Sequence, residues 1–185
     1  MSFWSDKNLE PKRSFRFILS INGGVTPGIK KYLVKSVKKP SFSLGEASHQ
    51  YLNHTFNFPG RLTWDPVEFS IVDVVDTDSN GSKELMEIIE ASGYALPTSE
   101  NVVNTISKKA SVEALGKVII RTIDAEGDAV EEWSLHNAFL TKVDLGQLDY
   151  ETDGMLNISV TLKYDYASLN LMDGTKIPRG ASGAN

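Results

Sequence analysis

The chain alternates apolar and polar residues along most of its length, and that period of two marks strands. Phe15, Phe17, Leu19 and Ile21 fall on one side of a first strand, with Arg16 and Ser20 on the other. The cluster Asn22-Gly23-Gly24-Val25-Thr26-Pro27-Gly28 predicts a turn, and residues 31–37 a returning strand. Val67, Phe69 and Ile71 alternate with Glu68 and Ser70. Residues 118–123 form an apolar run interrupted by Arg121, and the turn Asp124-Ala125-Glu126-Gly127-Asp128 leads into a partner strand through Trp133 and Leu135. Leu156, Ile158, Val160, Leu162, Tyr164 and Tyr166 alternate with polar residues over eleven positions, predicting one long strand, dry on one face and wet on the other. Helix signals are fewer. Ser82 is placed to cap a helix that carries Leu85, Met86 and Ile89 inward and Glu84, Glu87 and Glu90 outward, stopping at Gly93. Ser99 is placed to cap a shorter turn with Val102, Val103 and Ile106.

These elements predict a mainly β fold: a small β-barrel or sandwich of about six to eight strands with one flanking helix. An N-terminal arm (1–13), a β domain (14–168) and a C-terminal tail (169–185) are expected. The arm has no period but carries Phe3 and Trp4, large apolar residues that need a surface to dock on. Residues 38–55 contain Phe42, Leu44 and Tyr51 and read as a connection longer than a packed domain needs, expected to clasp a neighbouring subunit.

Composition narrows the function classes. With 185 residues and no cysteine, the chain suits one domain and excludes disulfides, thiol catalysis and cysteine-ligated metals. No run reaches the roughly 18 apolar residues of a membrane span. No secretory signal opens the sequence, so synthesis in a cytoplasm is expected. The net charge of −5 is uneven: residues 1–64 hold 10 Lys and Arg against 3 Asp and Glu, and residues 65–185 hold 9 against 21. A basic surface on one copy meeting an acidic surface on the next would set register between subunits. The alternative is two solvated faces of opposite sign.

Asp76, Asp78, Asn80, Gly81 and Glu87 match the spacing of a calcium loop, whose oxygens would converge around a sharp glycine bend. The match follows a strand instead of a helix, and Lys83 stands at a position that is usually apolar. The competing reading is a polar strand-to-helix turn. His49, His54 and His136 show no zinc-ligand spacing. Gly23 to Lys30 lacks the Gly-Lys-Ser/Thr of a phosphate loop, and no nucleophile elbow or catalytic grouping stands out. No cofactor and no enzymatic activity are expected.

The stretch Phe56-Asn57-Phe58-Pro59-Gly60-Arg61-Leu62-Thr63-Trp64-Asp65-Pro66-Val67-Glu68-Phe69-Ser70-Ile71-Val72-Asp73 resembles the tail tube proteins of contractile-tailed bacteriophages. There a strand ending in Gly-Arg-x-[aromatic or Thr]-x-Asp leads into an alternating strand that finishes near an Asp, followed by a short helix. Residues 137–150 are similar to the family's turn after the penultimate strand. Leu162-Lys163-Tyr164-Asp165-Tyr166 is similar to its closing strand. The resemblance covers roughly residues 14–168. It implies six copies in a ring, with rings stacked into a tube through which DNA passes without sequence-specific binding. Sheath, tape-measure and baseplate proteins would be the partners, and a virion tail, assembled in the host cytoplasm, the location. Phe3, Trp4, Phe42, Leu44 and Tyr51 become expected subunit-interface residues. A baseplate or tube-initiating protein of the same fold is the near alternative. A calcium-dependent β-sandwich binding module is the alternative from another class.

Overall fold

A computed structural model describes residues 10–22, 24, 33–76, 80–98, 103–151, 153–171 and 176–177. Among them the chain forms β1 (Phe17–Asn22), β2 (Val34–Val37), β3 (Phe42–Tyr51), β4 (His54–Trp64), β5 (Val67–Val72), α1 (Gly81–Ala91), α2 (Lys108–Leu115), β6 (Lys117–Ile123), β7 (Ala129–His136), β8 (Phe139–Asp144), β9 (Asn157–Lys163), β10 (Tyr166–Leu171) and β11 (Lys176–Ile177). One sheet has the order β1-β6-β7-β10-β11, a second the order β2-β5-β9-β8, and β3 pairs with β4 as a separate two-stranded ribbon.

The two larger sheets face each other across one core, as a sandwich. Leu19, Ile21, Val118, Ile120, Leu135 and Ala167 come from the first, and Val67, Phe69, Ile71, Ile158, Val160 and Leu162 from the second. Leu85 and Ile88 of α1 and Ala114 and Leu115 of α2 join the same cluster. Alternation explains the strands: in β5 and β9 every second residue is buried, which leaves Glu68, Ser159 and Lys163 on the solvent side. Phe15 lies before β1 and is exposed, outside the stripe its spacing suggests.

Three expectations change. The eleven-residue strand is two strands: β9 ends at Lys163, and β10 begins at Tyr166 in the other sheet. Asp165 fixes that corner. Its carboxylate accepts from Lys108 Nζ and Asn137 Nδ2 at 2.7 Å, and its backbone N–H donates to the His136 carbonyl at 3.0 Å. Burial consequently changes phase, with Tyr164 inside, Tyr166 outside and Ala167 inside. The first sheet also continues beyond Ser168 through β10 and β11.

The first helix is capped by Asn80, whose Oδ1 accepts from Lys83 N–H at 2.9 Å, not by Ser82. Ser82 Oγ instead donates to Asp73 Oδ2. The helix is turned so that Glu84, Leu85 and Ile88 are buried and Met86 is exposed. It ends before Gly93, whose φ of +105° suits a residue without a Cβ. Val103 and Ile106 are exposed and not helical; the second helix is α2, capped by Ser107 Oγ at Ala110 N–H. Ser99 and Val102 lie outside the described residues, as does most of the predicted turn after β1. No described helix is long and apolar enough to cross a membrane.

The third change concerns residues 38–55. They are no loop but the start of a long hairpin, with β3 and β4 paired from Phe42↔Trp64 to Tyr51↔His54. The register slips between Leu44 and Glu46, where β4 carries one extra residue around Gly60. A Cβ on Gly60 would stand 2.9 Å from the Gly45 carbonyl carbon and oxygen, so only glycine allows this approach. Gly60→Ala is expected to weaken pairing at the bulge by about 1–3 kcal/mol. Amide exchange should quicken between Leu44 and Leu62 while the thermal midpoint of the sandwich stays unchanged.

Candidate assembly surface

The hairpin stands away from the sandwich. All ten residues of β3 are exposed, and in β4 only Trp64 is partly covered. Large apolar side chains nevertheless line it. Directly paired residues share a face, so Phe42, Trp64, Leu44 and Leu62 lie on one side of the ribbon near its root. Beyond the slip the apolar set changes parity on β3: Ala47, Phe58, His49, Phe56, Tyr51 and His54 lie on the other side. The tip is Leu52-Asn53, and Leu52 has φ +51° with 85% of its surface exposed. A leucine in the left-handed region costs about 1–2 kcal/mol relative to glycine.

Two anchors hold the root of this hairpin. Trp64 packs on Phe42 edge-to-face with centroids 5.3 Å apart, and on Tyr164 at 5.9 Å, joining the ribbon to the core. Burial, with a contribution from the Asp65 carboxylate, pushes the Tyr164 phenol up to about 12. The second anchor is Glu131 of β7, 5% exposed, whose two carboxylate oxygens pair separately with Lys12 and Lys39. Thr122 Oγ1 donates to the same carboxylate at 3.0 Å. Burial alone would raise the Glu131 carboxyl. The hydrogen bonds from Lys12 and Lys39, the Lys39 charge and the Thr122 hydroxyl outweigh it and hold the group at about 2. Lys12 lies near the end of the arm and Lys39 three residues before β3, so one carboxylate ties both to the first sheet.

The exposed face of the second sheet is polar. Ser36 and Ser70 share a 2.6 Å hydroxyl contact across β2 and β5, and Glu68, Ser159, Thr161 and Lys163 continue the surface. Registers define the two ends of this sheet. At one end lie Val37, Val67, Leu162 and Phe139, and at the other Val34, Val72, Asn157 and Asp144. The hairpin departs from the first end, between β2 and β5. The second end carries residues 145–151 and 153–156, between β8 and β9.

Among the expected interface residues, Phe42, Leu44 and Tyr51 are brought onto one exposed strand, Tyr51 on the opposite face from the other two. Phe3 and Trp4 lie outside the described residues. Of the calcium-loop residues, Asn80 uses its side-chain oxygen to cap α1, and Glu87 stands 3.9 Å from Lys83 Nζ. Asp73, which is not part of the motif, accepts from Gly81 N–H at 3.0 Å and from Ser82. Asp78 lies outside the described residues. Among those described, no three His, Cys, Asp or Glu side chains are placed to share a metal. The sequence reading missed Glu131, whose partners are 119 and 92 residues away. It also missed the exposure of Phe56, Phe58 and Leu62 on β4.

No protein-family model matches the chain, and no curated protein matches its sequence. Solved structures do match. A chain in the tube-terminating cap of the anti-feeding prophage superposes with a TM-score of 0.63 and 16% identity, over 92% of this chain and 99% of that one. A chain in the PVC sheath/tube terminator, part of an extracellular contractile injection system, has a TM-score of 0.63 and 18% identity, over 88% and 98%. One from the PVC sheath–tube complex gives 0.59 and 19%, over 87% and 92%. The chain therefore has the tail-tube type of fold, with its small β-sandwich and flanking helices.

Proposed function

We propose that the chain is a non-enzymatic structural subunit of a contractile tail tube, assembling as hexameric rings that stack around a channel. One observation supports this reading above the rest: a long ribbon with apolar side chains on both faces and almost no cover from its own domain. Uncovered apolar area of this kind marks an interaction surface, and a second copy is the partner a tube supplies. The polar outer face of the second sheet suits a wall toward water. Its hydroxyls, with Lys35, Lys142 and Lys163 set against Glu68 and Asp144, leave the face close to neutral, so DNA would be held only weakly. Sheath, tape-measure and baseplate proteins are the expected neighbours, and a virion tail the location. A ring that begins or ends a tube would use the same fold.

Negative-stain microscopy of the concentrated protein tests the reading. Stacked rings with a central channel are expected, and single unstacked rings would favour an initiating or terminating ring. A persistent monomer would overturn both. Removing residues 1–9 spares Lys12 and takes away Phe3 and Trp4. That deletion is expected to leave a folded subunit whose tubes are markedly shorter; unchanged tube length would remove the arm from the interface.

A further inference from the structure

We propose that Asn80-Gly81 is a latent site of spontaneous covalent modification, deamidation through a cyclic imide. The folded start of α1 holds the pair unreactive, and it reacts when this end of the helix opens. This holds whether or not the subunit builds a tube.

The chemistry follows from the dipeptide. The glycine nitrogen, unscreened by a side chain, attacks the side-chain carbon of the asparagine before it. A bond forms between Gly81 N and Asn80 Cγ, and the carboxamide C–N bond breaks. Ammonia leaves with the proton that Gly81 gives up. Water then opens the imide at either carbonyl. One opening gives aspartate; the other gives isoaspartate, whose main chain runs through Cγ. Water is the sole co-reactant.

Two separate structural demands place this pair here. Asn80 caps α1, its Oδ1 accepting from Lys83 N–H at 2.9 Å. Gly81 is buried where a Cβ would stand 2.9 Å from Ile71 Cδ1 and 3.2 Å from Ile158 Cδ1, so packing on the core calls for glycine. Aspartate or serine would cap comparably; the carboxamide of asparagine is what makes the pair reactive.

The same contacts hold the reaction off. Gly81 N–H donates to Asp73 Oδ1 at 3.0 Å, and Ser82 Oγ donates to Asp73 Oδ2 at 3.0 Å. Attack needs Gly81 to lose its proton beside this carboxylate, and a neighbouring anion disfavours that loss. Attack also needs the carboxamide to leave Lys83, and the Asn80 carbonyl accepts from Glu84 N–H at 3.1 Å, so reaction undoes the first turn. Asn22-Gly23 supplies the contrast: the same pair, with Asn22 exposed at the end of β1. The products at position 80 also differ. Aspartate can still cap, whereas isoaspartate adds a main-chain atom where Gly81 packs on Ile71 and Ile158.

The test incubates the protein, folded or in guanidinium, in mildly alkaline heavy-oxygen water, which labels only conversions that occur during incubation. Peptide mass spectrometry then reads positions 22 and 80 separately. Asn80 should convert about tenfold more slowly in the folded protein than in guanidinium, the factor that losing a hydrogen bond to a charged group corresponds to. Asn22 should convert at similar rates in both. Asp73→Ala, checked by circular dichroism for a retained fold, should remove most of the protection of Asn80. Asp73→Asn keeps an acceptor without the charge and should fall between the two. Equal rates at Asn80 in folded and unfolded protein, or no conversion there in guanidinium, would overturn the proposal. Folded Asp73→Ala and Asp73→Asn proteins that both match the unaltered rate would overturn the role given to Asp73.

Discussion

Val160→Asp is expected to leave no cooperatively folded subunit, whereas Thr161→Asp, one residue along, is expected to keep the fold. Val160 is 1% exposed and sits in β9, flanked on one side by Phe69 of β5 and on the other by Val143 of β8. Aspartate there forfeits about 1.5–3 kcal/mol of apolar burial and adds several kcal/mol for an ion without a partner in the core. That sum is comparable to the roughly 5–15 kcal/mol that holds a typical domain together. Thr161 points to the other face, opposite Glu68 in β5 and Lys142 in β8. A carboxylate at 161 is repelled by the first and attracted by the second, each by about 0.2–1 kcal/mol. Circular dichroism melts of the two variants check this. A cooperative transition for Thr161→Asp and none for Val160→Asp is expected; equal damage from both would refute the assignment of the two faces.

Local alternation made much of the sandwich legible, because a strand with one buried face must repeat every second residue. β5 and β9, and the hairpin of β6 and β7, could be read in this way. The corner at Asp165 could not, since Tyr166 keeps the apolar alternation while the chain passes into another sheet; what breaks the strand is a carboxylate held by Lys108 and Asn137, neither adjacent in sequence. The first helix was legible as a helix, but not its rotation, because Glu84 is buried where an exposed acid was expected and Met86 is exposed. Ser107, not Ser99, caps the second helix, and α2 was concealed within a polar segment. In the hairpin, Gly45 and Pro59-Gly60 carry turn chemistry, yet here they accommodate a bulge inside two long paired strands. Phe42, Leu44 and Tyr51 were legible as candidates for a surface, because large apolar residues in a polar connection need cover. The exposure of their partners Phe56, Phe58 and Leu62 on β4 was not legible, because an apolar strand pattern does not show whether another layer covers it.

Glu131→Gln is expected to loosen the hairpin and the residues before β1 together, and to abolish an acid transition present in the unaltered protein. The folded-state carboxyl lies at about 2 against an ordinary 4.5. A depressed carboxyl stabilises the fold fully above its unfolded value, and the contribution fades as the pH falls from about 4.5 toward 2. The shift corresponds to about 3 kcal/mol at neutral pH. Glutamine keeps the shape and can still accept from Thr122, but it cannot hold two ammonium groups. Lys12 and Lys39 are each about half exposed, 53% and 49%, and return to water when released. The loss therefore stays near 2–3 kcal/mol, below what stranding a buried cation would cost. Because Lys39 precedes β3, the hairpin's departure angle loosens with it, and tubes should form at higher protein concentration than before. Urea titrations at pH 7 and at pH 3 separate this account from simple packing damage: the difference between variant and unaltered protein should shrink at pH 3. A difference of equal size at both values would mean that the Glu131 charge plays no part in holding the root of the hairpin.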